Sequence, residues 1–141
     1  MPKFALTLSQ FARGSVKVYN LLIDNIDQFE AFEDDLEDKY YSQFISFAAT
    51  ISQISENKKP PPRGKRRKLE GIDGAAEMRS NDLRLYYLTL KNHGYTICFC
   101  GYKKNQKKDI RKLNNLKRKL ENQILEHGKL EIKKINKGKS S

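Results

Sequence analysis

The chain has 141 residues, 38% of them hydrophobic, which is enough apolar material for one compact domain with a single core and leaves two domains crowded. Its 28 Lys and Arg against 17 Asp and Glu leave a formal charge of +11, so a polyanionic partner is expected (ribosomal RNA, messenger RNA, DNA or an acidic protein), because neutralising phosphates releases condensed counterions. No run approaches the roughly 18 apolar residues of a membrane span, and the opening MPKFALTLSQFARG lacks the pattern of a signal peptide, so a cytoplasmic protein is expected.

In chain order, residues 3–8 (KFALTL) and 16–23 (SVKVYNLL) read as strands, with Gly14 available for the turn between them. Asp24 to Asp38 holds eight acidic residues and no basic one, while Ile26, Phe29, Phe32 and Leu36 recur at helical spacing. That pattern predicts a short acidic amphipathic helix, whose charged side either meets solvent or balances a basic site elsewhere. A second helix is expected from about Tyr40 to Ser55, with Tyr41, Phe44, Phe47, Ala48, Ile51 and Ile54 as its core stripe. NKKPPP (57–62) ends it, since proline neither continues a helix nor lets its predecessor do so. Seven Lys or Arg between Lys58 and Lys68 then form a first basic patch, read either as a charged linker or as a segment docked at a sheet edge.

The stretch from Lys65 to Lys108 organises the rest. Three apolar-alternating blocks, AAEMRS (75–80), LRLYYLTL (83–90) and YTICFCGY (95–102), predict an antiparallel meander framed by cations. Two-residue alternation puts Glu77 with Arg79, Arg84 with Tyr86, and Tyr102 with Lys104 on shared faces. Cys98 and Cys100, two apart, are expected to point the same way as reduced core thiols, and with His93 and His127 off ligand spacing no metal site or cofactor is predicted. A last helix should run from Gln106 or Lys107 to about Leu125 on the stripe Ile110, Leu113, Leu116, Leu120 and Ile124, with Lys107, Lys108, Arg111, Lys112, Lys117, Arg118 and Lys119 around it. Gly128 ends it, leaving residues 128–141 as a basic tail, frayed or weakly strand-like and with no core of its own, after a single domain over 1–127. The fold class expected is α+β: a mostly antiparallel sheet of four to five strands, two helices from the N-terminal half packed on it, and a C-terminal helix.

The residues at Lys65, Lys68, Leu69, Glu70 and Gly71, the EMR strand (Glu77 to Arg79), LRLYY (Leu83 to Tyr87) and GYKKNQKKDI (Gly101 to Ile110) together resemble the RelE/ParE superfamily, closest to the HigB/RelE-like branch of toxins from bacterial type II toxin-antitoxin systems. The resemblance implies a metal-independent, ribosome-dependent endoribonuclease that cleaves messenger RNA, with a cognate antitoxin as partner. Such cleavage by 2′-OH attack needs a base, cations to stabilise the phosphorane, and an acid for the leaving oxygen. On the resemblance, Arg84 is the phosphate clamp, Arg79 a second clamp, Lys104 a stabilising cation or acid, and Glu77 either the base or a structural ion-pair partner. Lys65, Lys68, Lys103 and Lys107 are expected to bind RNA, with Tyr86 and Tyr102 stacking on bases or serving as core aromatics. The chain departs from RelE where Ala75 and Glu77 replace two lysines and where Ile110 stands at a tyrosine position. Two other functions stay open: a ParE-like, non-enzymatic gyrase inhibitor and a plain RNA- or ribosome-binding module.

Overall fold

A computed structural model describes residues 2–56 and 66–134. Strands β1 (Phe4–Leu8) and β2 (Val18–Ile23) pair antiparallel, Phe4 opposite Ile23 and Leu8 opposite Tyr19. Gly14 lies between them, but its role is close approach: a Cβ there would collide with the carbonyl of Ser55. The chain reverses at Asp24 and Asn25, whose φ angles of 51° and 67° are left-handed values that Asp and Asn tolerate best after glycine. It returns as a two-residue strand, β3 (Ile26–Asp27), against β2. The acidic helix expected over 24–38 is therefore only α1 (Gln28–Asp34). Asp27 accepts from the backbone N–H of Phe29 and Glu30 and so starts it at residue 28. Ile26, expected on the apolar stripe, lies outside the helix and is 57% exposed.

A 3₁₀ turn (Asp38–Tyr40) leads into α2 (Tyr41–Ser55), which buries Phe44, Phe47, Ile51 and Ile54 and leaves Tyr41 exposed. Beyond the undescribed residues 57–65, β4 (Arg66–Lys68), β5 (Ala75–Ser80), β6 (Leu83–Leu90) and β7 (Gly94–Tyr102) form the antiparallel meander. A second 3₁₀ turn (Lys103–Asn105) precedes α3 (Gln106–His127) and β8 (Glu131–Ile132). The strand order is β4-β5-β6-β7-β2-β1-β8, with β3 beside β2, and two of the pairings, β7 with β2 and β1 with β8, are parallel. The class is α+β with a mostly antiparallel mixed sheet, but of eight strands rather than the four to five expected. The additional strands β3, β4 and β8 are two or three residues long, too short to carry a readable alternation.

Helices cover both faces of the sheet. Leu83, Leu85 and Tyr87 of β6 join Phe44, Phe47 and Ile51 in the core beneath α1 and α2, while Tyr86, Leu88 and Leu90 join Leu113, Leu116 and Leu120 beneath α3. β7 carries a bulge: Tyr86 faces Phe99 and Tyr87 faces Ile97, so Cys98 is the extra residue. This overturns the expectation that the two cysteines point the same way. Cys98 packs in the α3 core and Cys100 against the other, and burial pushes both thiols up.

In the expected tail the weakly strand-like alternative is the one seen, and the boundary at residue 127 moves because Leu130 enters the core. Gly128, at φ 84°, caps α3 in the left-handed conformation. Leu130 beyond it is fully buried in the α3 core, and its N–H donates to His93 Nε2 at 3.1 Å, while Glu131 and Ile132 pair with Ala5 and Leu6. Residues up to 132 thus belong to the sheet. No described helix is long and apolar enough to cross a membrane.

Candidate functional site

Strands β5 and β6 place Glu77 opposite Tyr86 and Arg79 opposite Arg84. Cross-strand partners share a face, so all four look toward the start of α3. Two arginines directly opposite each other repel; the carboxylate of Glu77 pairs with Arg79, while backbone carbonyls hold Arg84. Glu77 is fully buried; its Oε1 accepts from Gln106 Nε2 at 2.7 Å, on the first residue of α3. Its Oε2 lies 3.5 Å from Arg79 Nε and 3.6 Å from Arg67 Nε, within ion-pair range of both without a hydrogen bond to either. Arg67 reaches it because β4 sets it opposite Glu77.

Arg84 is only 3% exposed, and its Nη1 donates to the carbonyls of Asn81 (2.8 Å) and Leu83 (2.9 Å). Burial lowers its pKa, Arg79 and Arg67 push the same way, and Glu77 opposes them. Tyr86 is fully buried with its ring 5.1 Å from that of Phe99, and burial, Asp109 and Glu77 all raise its pKa. Among the described residues Arg84 Nε, Tyr86 Oη and Glu77 Oε2 have no hydrogen-bond partner. Each such group costs about 1 to 3 kcal/mol when buried. Glu77 Oε2 is compensated by its two ion pairs, which leaves Arg84 Nε and Tyr86 Oη as the two groups at this corner without a partner.

Asp109, in the first turn of α3, completes the corner. Burial raises its pKa although Lys112 and Lys108 draw it down. Its carboxylate lies over residue 101, opposite Arg84, where a Cβ in place of glycine would make Asp109 Oδ2 shift. Asp109 also acts on Tyr86, whose pKa it helps to raise, and so borders the same face of the sheet.

The other expected site residues divide. Lys103 and Lys104 are exposed on the 3₁₀ turn, and Lys107 is exposed on the first turn of α3. Lys103 N–H donates to Asp82 O at 2.8 Å, which ties that turn to the β5–β6 hairpin. Lys104 does not share a strand face with Tyr102, because the strand ends at residue 102. Tyr102 turns to the opposite side of the sheet, its ring 5.5 Å from Phe32 and 5.4 Å from Tyr40, so it stands apart from the arginine cluster. Tyr86 as a base-stacking residue is also corrected: its ring has no exposed surface to offer. Lys68, opposite Ala76, shares the α1–α2 face with it, and Lys65 lies outside the described residues.

Arg67, Gln106 and Asp109 were not legible as site residues. Asp109 had a signal, being the single acid between Lys103 and Lys119. Arg67 had none, since a three-residue strand in a run of cations does not announce which one turns inward. Among the described residues no three His, Cys, Asp or Glu side chains gather as a metal-binding group. No protein-family model, no curated protein and no solved structure matches the chain.

Proposed function

We propose that this chain is a toxin of a bacterial type II toxin-antitoxin system, of the RelE/HigB kind, and acts as a metal-independent, ribosome-dependent endoribonuclease on messenger RNA. The observation that carries this reading is the pairing of Arg67 and Arg79 with the buried Glu77, with Arg84 directly opposite Arg79 and the unpartnered Arg84 Nε and Tyr86 Oη on the same face. Guanidinium groups offer planar paired donors that match phosphate oxygens. Arg79 and Arg67, with side chains 33% and 55% exposed, meet the scissile phosphate, and Arg84 stands behind them. Glu77 positions these cations and is not the base, because it has no accessible surface.

Asp109 takes the proton of the 2′-OH, whose oxygen attacks phosphorus. The 5′ oxygen leaves with a proton from Lys104, giving a 2′,3′-cyclic phosphate and a 5′-OH. The cognate antitoxin offers an acidic or amphipathic segment to the basic groove, and the protein works in the cytoplasm. A second reading, an RNA-binding module without cleavage, is favoured by the near-complete burial of Arg84.

Primer extension on messenger RNA in a purified translation system tests both readings. Wild type is expected to cut at codon positions. Arg79→Ala, Arg84→Ala and Lys104→Ala should each lose on the order of 100-fold or more in rate, and Asp109→Asn should lose comparably. Tight RNA binding with no cut from wild type would leave the binding module as the function.

A further inference from the structure

Phe99 separates two compartments. Its ring contacts Tyr86, part of the arginine corner, at 5.1 Å between centroids, and it also forms part of the wall of a groove between α3 and strands β1, β2 and β7. That groove has a volume of about 360 Å³ and a floor of Phe4, Ile23, Phe99 and Leu116. This lies toward the lower end of ligand pockets, roughly 300 to 1,000 Å³, and suits one planar group. The rim carries Lys112, Asn115 and Lys119 from α3. Lys112 Nζ sits 4.2 Å from the centre of the Phe99 ring, so the aromatic face is closed by an exposed side chain that swings aside at little cost.

We propose that this groove is a nucleobase subsite: a base of single-stranded RNA stacks on Phe99 in the place of the Lys112 ammonium, and Lys112 and Lys119 take its flanking phosphate. An apolar floor with the Phe99 ring face, under two cations and an amide, is the chemistry of a nucleotide, with a π-face for the base and charge for the backbone. Asn115, whose amide oxygen already accepts from Arg118, keeps its NH₂ to donate to a base edge. Lys112 also acts electrostatically on the Asp109 carboxyl, three residues earlier on α3. The inference rests on the ribonuclease reading for its substrate, and it adds where the substrate is gripped.

The test uses the full chain and a 2′-O-methyl oligonucleotide, which binds without being cleaved, with 5-iodouridine placed at successive positions. Irradiation should cross-link one position to the peptide holding Phe99 or Lys112, identified by mass spectrometry. By fluorescence anisotropy Phe99→Leu should weaken binding roughly ten-fold, the loss of one base stack. Because Phe99 is core, the exposed-site variant Asn115→Trp, which fills the mouth of the groove, is measured beside it and should weaken binding similarly. Cross-links confined to other surfaces, or unchanged affinity in Asn115→Trp, would overturn the subsite even if wild type cleaves RNA. Groove-dependent binding without cleavage in the translation assay would uphold it while removing the ribonuclease reading.

Discussion

Glu77 has no exposed surface, yet it lies within 3.6 Å of two guanidinium groups and near a third that is almost wholly buried. Removing one member of a buried charge cluster leaves the others uncompensated, which is worth about 3 to 5 kcal/mol for a fully buried pair. Arg67 and Arg79 are partly solvated, so Glu77→Ala should cost on the order of 3 kcal/mol, read from the urea midpoint. If the buried Arg84 charge is the cause, the same substitution in an Arg84→Met background should cost clearly less, a coupling that a double-mutant cycle measures. An additive cycle would mean that Glu77 acts through Arg67, Arg79 and Gln106 and not through Arg84. Asp109 occupies the space that a side chain at residue 101 would claim, so its rotamer is tied to the glycine of β7.

Among elements, α1 shows how a single cap decides a boundary. Its seven residues are too few to be stable alone. Asp27 supplies two capping bonds and also receives Asn20 Nδ2 at 3.0 Å from the adjacent strand. Asp27→Ala should therefore destabilise by about 2 kcal/mol, the upper end for a lost N-cap. Asp27→Asn should recover most of that, with amide exchange at Phe29 and Glu30 as the local readout. At the other end of the chain α3 needs no side-chain cap: its apolar stripe Leu113, Leu116 and Leu120 is buried across the sheet, and packing holds it.

For the whole molecule, β8 forms one edge of the sheet. β8 is two residues long, but Leu130 before it is fully buried and anchored to His93, so the end of α3, the β6–β7 turn and β1 meet there. Leu130→Ala should cost about 3 kcal/mol, within the range for a buried leucine truncated in a packed core, and thermal unfolding measures it. A cost below 1 kcal/mol would make residues 129–134 the loose appendage that their composition suggests.

The blocks at 75–80, 83–90 and 95–102 and the stripe of α3 were legible because each is long enough for its period to repeat, and hydrophobic period is a local property. The same alternation placed Glu77 with Arg79 on one face. It failed where a single residue breaks the period: the bulge at Cys98 sends Cys98 and Cys100 to different cores. It was silent where strands are too short to have one, which hid Arg67 and Leu130. The sequence by itself determined the meander, the long helix, the basic surface and the α+β class. Only the tertiary structure decided that Arg67, Gln106 and Asp109 join the arginine corner and that Tyr102 leaves it, because those contacts come from cross-strand register and from which sheet face each helix covers.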